Sequence, residues 1–243
     1  MKASPADQRR RVEVAQLDVR IRQAEYARKN PPQAGRVKEL LGRRQQLSQE
    51  LTTRLGARDD LRTELSRIES DVAVVDARAA RDAQRLAAST NSKEAQGFES
   101  ELAALARRKS DLEDAELAVM ERLELADAAV AEQEALIAAT NAEGAELSAE
   151  GKRAVAEATA AFDAATRDRA AIAGALPADL VALYDRVAVR SAGAAYLRRR
   201  TCEGCNMVLA GTDLQVLRQS AEDEVVTCPE CGCLLVRHDE SGL

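Results

Sequence analysis

Aromatic side chains are nearly missing from this chain of 243 residues, which has no Trp, two Phe and three Tyr. Aromatics fill much of the thick core of a large α/β or β protein. Their scarcity argues against a β-sandwich, a Rossmann enzyme or a TIM barrel. Proline is scarce too, with five in all, and this permits long uninterrupted helices. No run of 18 apolar residues occurs, so no membrane span or membrane partner is expected. Met1-Lys2-Ala3-Ser4-Pro5 leads into charged sequence without the apolar stretch of a secretory signal. A cytoplasmic protein is the expectation. Histidine occurs once, as His238, so no Ser-His-Asp or Cys-His set can be assembled, and no Gly-rich phosphate loop is present. These gaps point to a protein without catalytic turnover or a small-molecule substrate. His238 itself, among Arg237, Asp239 and Glu240, reads as solvated.

What is present is Ala, Leu and Val interleaved with Arg and Glu. The chain is 46% hydrophobic and 31% charged. Such a mixture makes long helices with thin cores. The net charge is −6 and the isoelectric point about 5.2. A mainly electrostatic nucleic-acid binder is usually basic.

From Val12 to Ile172 the pattern is helical almost throughout. Leu61, Leu65, Ile68, Val72, Val75 and Ala79 alternate steps of four and three, the a/d seam of a coiled coil. Leu40, Leu47, Leu51 and Leu55 extend it upstream. A second series runs through Phe98, Leu102, Leu105, Leu112, Val119, Leu123, Val130, Ile137 and Leu147. Between them lies the polar stretch Ser89-Thr90-Asn91-Ser92-Lys93-Glu94, which reads as a turn. Asn91 is expected to cap the Glu94 N–H, with Glu94 reaching back as in a capping box. Arms of similar length on either side predict an antiparallel hairpin with its tip near 88–93. Facing positions then add up to roughly 181, at about 1.5 Å of rise per residue. Lys93 and Glu94 are candidate partner contacts at that tip.

Asn30-Pro31-Pro32 interrupts the first arm, because Pro lacks an N–H and disfavours helix at the residue before it. A break near 29–34 is expected, with Asn30 near the start of the next helix and with Gly151 and Gly144 opposite. Gly174 ends the second arm. Leu176-Pro177-Ala178-Asp179 starts a short helix striped by Leu180, Leu183 and Val187, predicted to pack on the base of the coil.

All cysteines lie near the end: Cys202, Cys205, Cys228, Cys231 and Cys233. A disulfide scaffold spreads its crosslinks through a small secreted chain, whereas this cluster reads as a metal site. Cys202-Glu203-Gly204-Cys205 is followed by Asn206, and Cys228-Pro229-Glu230-Cys231 by Gly232. Asn and Gly tolerate the positive φ of a tight knuckle. Two such knuckles place Cys202, Cys205, Cys228 and Cys231 around one structural Zn²⁺. The stretch 206–227 between them is expected to form a β-excursion. Cys233 has the wrong spacing for a ligand and reads as a strand residue beside the site.

Arg198-Arg199-Arg200, with Arg190 upstream, forms a local basic patch, a candidate contact for a partner or for RNA or DNA. Over 196–243, however, five Arg face eight carboxylates, a net of −3. Glu222-Asp223-Glu224 resembles the acidic hairpin tip of transcript-cleavage elongation factors, whose adjacent carboxylates help position Mg²⁺ at a polymerase. That likeness supplies an alternative function, a factor associated with RNA polymerase.

The expected architecture is mainly α: a long antiparallel coiled-coil hairpin over 1–175, a connecting helix and linker over 176–195, and a small β metal domain over 196–243. The chain resembles the bacterial C4-type zinc-ribbon family. The likeness rests on Asn91-Ser92-Lys93-Glu94 leading into Phe98 and Glu101, on Leu176-Pro177 with Leu180 and Tyr184, and on both knuckles. In that family the ending is often Cys-Gly-Arg-Ile-Leu-Tyr. Here it is Cys231-Gly232-Cys233-Leu234-Leu235-Val236, with Cys233 in place of the Arg. The resemblance implies one structural zinc and a non-enzymatic adaptor or chaperone-like role toward a protein partner, with nucleic acid as a further partner in some relatives. Relatives resemble flagellar or type III secretion chaperones and adaptors. A monomer or weak homodimer is expected.

Overall fold

A computed structural model describes all 243 residues. The elements are α1 (Pro5–Lys29), α2 (Ala34–Ala88), α3 (Ser92–Gly174), α4 (Ala178–Ala188), β1 (Ala194–Arg198), β2 (Thr201–Cys202), α5 (Gly211–Gln219), β3 (Val226–Thr227) and β4 (Leu234–Val236). The chain forms two compact units, Gly35–Ser148 and Met1–Ala34 with Ala149–Leu243.

In the unit Gly35–Ser148, α2 and the first part of α3 pair antiparallel. The predicted seam is the buried one. Leu40, Leu47, Leu61, Leu105, Leu112, Val119 and Val130 are buried, and Leu65, Ile68, Val72, Val75 and Ala79 are half-buried. Ion pairs link the two helices: Lys109 to Asp76 at 2.7 Å, Arg62 to Asp127 at 3.3 Å, Arg36 to Glu143 at 2.7 Å, and Arg78 to Glu101. Exposed pairs of this kind contribute at most about 1 kcal/mol each, so the apolar seam carries the stability. Asp82, Gln133 and Thr140 are polar residues buried in this unit. Gln133 is fully buried and its Nε2 donates to the Leu47 carbonyl at 2.9 Å and to Glu50 at 3.0 Å. A buried polar partner of this sort disfavours slipped registers.

At the tip, Asn91 Oδ1 accepts the Lys93 N–H at 3.0 Å, not that of Glu94. The Glu94 carboxylate instead receives the Ser89 hydroxyl at 3.5 Å. The expected reciprocal box is therefore replaced by a one-sided cap.

In the other unit, Ser4 caps α1 by accepting the Asp7 N–H at 3.1 Å, with Pro5 in the first turn, where its missing N–H costs nothing. Asn30 closes α1 and does not open α2: its N–H and its Nδ2 both donate to the Tyr26 carbonyl. Pro31 then keeps it out of the helical region. Gly151 does lie beside Gln33 at the break, where a Cβ placed on it would stand 3.8 Å from Gln33 Cβ, an ordinary contact, and nothing lies within 4 Å of a Cβ placed on Gly144, so neither glycine is required by close approach.

The sheet order is β2-β1-β4-β3, with β1 and β4 parallel and the other pairs antiparallel. Its residues alternate between two cores, following the period of two in a strand. Ala194, Leu234 and Val236 pack with Val12, Val14 and Ala15 of α1 and with Leu176, Leu180 and Tyr184. Ala195, Leu197 and Leu235 face the opposite side, with Leu209, Leu214, Leu217 and the cysteines. Burial on both faces explains why Leu234-Leu235-Val236 is apolar without alternation. The first core draws on both sides of the expected 175/176 boundary. The helix α4 is fixed further by Tyr184, whose hydroxyl donates to Asp18 Oδ2 at 2.6 Å. Arg169 donates to Asp18 Oδ1 at 2.7 Å and to Asp185 at 2.9 Å.

Between the knuckles the chain forms the helix α5, where a β-excursion was expected. Leu214 and Leu217, one turn apart, are buried against the cysteine side of the sheet. That apolar pair makes a helix the better way to cover a small core.

Candidate metal centre

The hairpin of β1 and β2 presents the first knuckle, and the approach to β4 presents the second. In each, the residue after the second cysteine adopts the left-handed conformation expected of it, with φ +59° at Asn206 and +74° at Gly232. The Asn206 N–H closes back to the Cys202 carbonyl at 2.7 Å, and the Gly232 N–H to that of Cys228 at 2.9 Å.

These turns gather the sulfurs of Cys202, Cys205, Cys228 and Cys231 to within 4.8 Å of one another. Cys202 and Cys231 are 4.0 Å apart, and Cys205 and Cys228 are 3.9 Å apart. A tetrahedral zinc with bonds of about 2.3 Å requires sulfur–sulfur edges of about 3.8 Å, so the four residues fit one Zn²⁺. Backbone N–H groups favour the thiolate forms: those of Gly204 and Cys205 for Cys202, of Glu230 and Cys231 for Cys228, and of Met207 for Cys205. They offset the negative charge that four thiolates leave around a dication. When bound, the ion supplies a structural crosslink between the knuckles, since four sulfurs close its coordination sphere.

The fifth cysteine is not distant. Cys233 is fully buried, with its sulfur 3.5 Å from that of Cys202. It precedes β4 and does not lie within it. The contact with Cys233 draws Cys202 down to about 4, and the same contact together with burial pushes Cys233 far up. Burial raises Cys228 to about 12.

The structure separates the other candidates. Arg198 at the end of β1 is ion-paired with Glu203 at 3.4 Å and Glu240 at 3.2 Å. Arg199 and Arg200 form the two-residue loop of the β1–β2 hairpin, at φ +47° and +65°, exposed and without ion pairs. Their N–H groups donate to the carbonyls of Glu240 and Ser241. Arg190 is exposed just beyond α4. Lys93 and Glu94 belong to the other compact unit. His238 is half-buried, not fully solvated: its ring stands edge-on to Tyr196 at 5.1 Å, and its Nδ1 accepts the Glu240 N–H.

Glu222-Asp223-Glu224 is not a protruding hairpin tip. It follows α5 and is clamped from both sides. Asp223 is ion-paired with Lys2 at 2.9 Å, the Ala3 N–H donates to its carbonyl, and Gln8 donates to the carbonyl of Glu222. Arg237, which the sequence offers only as a neighbour of His238, donates to the carbonyls of Leu217, Ser220, Ala221 and Glu224. The clamp holds the main chain of this segment and pairs Asp223 with Lys2, while the Glu222 and Glu224 side chains stay exposed.

A helical hairpin joined to a four-cysteine ribbon defines a class of zinc-binding coiled-coil proteins. The chain belongs to the family of the CT398-like coiled coil hairpin domain, whose model matches residues 14–192, and a C4-type zinc ribbon domain matches 201–235. It is 33% identical over 243 residues to the Mycobacterium tuberculosis protein Rv2229c, with 98% of each chain covered. A structure from Mycobacterium smegmatis is similar at 29% identity and a TM-score of 0.78, covering 98% of this chain and 100% of that one. CT398 from Chlamydia trachomatis shares the fold at 13% identity and a TM-score of 0.57, covering 96% of this chain and 98% of that one. No helix is long and apolar enough to cross a membrane.

Proposed function

We propose that this protein is a non-enzymatic adaptor in the cytoplasm, acting as a monomer or weak homodimer. In this reading the coiled-coil hairpin and the zinc-bearing unit present surfaces to a protein partner. The observation that carries the reading is the closed sulfur set. Four cysteine sulfurs within 4.8 Å of one another occupy every position of a tetrahedral ion. The ion then holds the fold together and has no place for a substrate. The single histidine, engaged with Tyr196, adds no general base beside it.

A second reading adds RNA or DNA, contacted through Arg190, Arg199 and Arg200. Its support is that Arg199 and Arg200 stand exposed and unpaired at the hairpin loop, beside the ion-paired Arg198. Phosphate contacts of this kind are salt-sensitive and largely independent of sequence.

Affinity capture with the intact protein, a Cys228→Ser variant and an Arg199→Ala/Arg200→Ala variant tests both readings, with nuclease treatment of the eluate. The adaptor reading expects a specific protein retained after nuclease treatment and lost with Cys228→Ser. The second expects nucleic acid lost selectively with the arginine variant. Multiple turnover of any substrate by the zinc-loaded protein would contradict the adaptor reading.

A further inference from the structure

We infer that Cys233 serves the metal centre as a hydrogen-bond donor, its thiol outside the ligand set giving an S–H bond to the zinc-binding sulfur of Cys202. The two sulfurs are 3.5 Å apart, and both residues have no exposed surface. Cys233 does not belong to the group of four sulfurs that lie within 4.8 Å of one another, so it is a neighbour of the tetrahedron and not a corner of it. Its position is fixed by the second knuckle: the Cys228 N–H donates to the Cys233 carbonyl at 2.8 Å. The first knuckle leaves room for the thiol through Gly204, where a Cβ would stand 3.1 Å from the Cys233 sulfur.

The chemistry calls for such a donor. Four thiolates around Zn²⁺ leave a charge of about −2, and here the site is walled by Leu197, Leu209, Leu214, Leu217 and Leu235. Water satisfies an exposed thiolate, but none reaches Cys202. Any donor to it must come from the protein, and the side chain within reach is the Cys233 thiol, at 3.5 Å. A side chain without a polar hydrogen at 233 removes that donor and leaves hydrocarbon against this side of the sulfur. Partners beyond the direct ligands often shift metal affinity by about 10–100-fold.

The test uses the full chain loaded with Co²⁺ or Zn²⁺, as wild type, Cys233→Ala and Cys233→Ser. Cys233→Ala is expected to move the sulfur-to-cobalt charge-transfer band to longer wavelength, because an unbonded thiolate is the stronger electron donor. It is also expected to weaken zinc binding about tenfold or more in chelator competition. Cys233→Ser keeps a donor, so its band and affinity should remain near wild type. Equal effects of the two variants, no effect of either, or an effect of Ser alone would overturn the inference. The inference rests on the zinc assignment, and wild-type protein that failed to take up one Co²⁺ would overturn both.

Discussion

Gly193 lies against the ring of Tyr184: a Cβ on it would stand 2.6 Å from Cε2, and its φ is +76°. The residue therefore serves two needs where α4 gives way to β1. It turns the chain through a conformation that L side chains rarely adopt, and it leaves space for the buried ring. Gly193→Ala is expected to destabilise the protein by about 2–4 kcal/mol, from strain and overpacking together. Thermal unfolding measures this, and a melting temperature equal to wild type would refute it.

Tyr184 joins α4 to α1 through its 2.6 Å bond to Asp18. Burial, and then that bond, raise the phenol above its ordinary value of 10.0. A raised value means that the contribution to stability is complete below pH 10 and is lost as pH climbs through the folded-state value. Tyr184→Phe should cost about 1–2 kcal/mol at pH 7, and the difference from wild type should shrink above pH 10. Urea titrations at both pH values check it. A gap that widens with pH would have the wrong sign.

Arg11 is fully buried, and none of its guanidinium nitrogens has a hydrogen-bond partner. Burial lowers it to about 10. A buried charge without partners costs more than it contributes. Arg11→Met should therefore raise stability by about 1–2 kcal/mol. A loss of stability in the same denaturant measurement would show that the guanidinium is satisfied in solution.

Arg199 and Arg200 occupy a loop that ordinarily prefers Asn-Gly. Their left-handed conformations survive because the tail carbonyls of Glu240 and Ser241 accept both N–H groups. Arg199→Asn/Arg200→Gly should stabilise the protein by about 1 kcal/mol or more. Calorimetry checks it; a lower melting temperature would mean that the arginine side chains hold the hairpin.

The sequence made some of this legible, for physical reasons. The seam from Leu40 to Val130 follows from periodicity, because helix packing repeats at a fixed spacing. The knuckles follow from Cys pairs with Asn206 and Gly232 behind them, since the local backbone dictates those residue types. The Arg199-Arg200 loop carries no local signal: its conformation is imposed by a tail forty residues away. The Arg237 clamp and the contact between Cys202 and Cys233 are likewise tertiary. α5 stands where a β-excursion was expected because a single i, i+3 apolar pair, Leu214 and Leu217, is too short a pattern to fix an element by itself. Asn30 closes α1 where the sequence pointed to the start of α2, since Asn serves at both helix ends.

The central claim is that sulfur alone holds one zinc and that the metal unit depends on it. X-ray absorption at the zinc edge of the purified protein, with metal quantification of wild type, Cys202→Ser and Cys228→Ser, tests this most directly. The expected result is one zinc per chain, four sulfurs at about 2.3 Å and loss of stoichiometric zinc in both variants, while far-UV circular dichroism keeps the helical signal. An oxygen in the first coordination shell, or zinc retained at one per chain in either variant, would contradict the account.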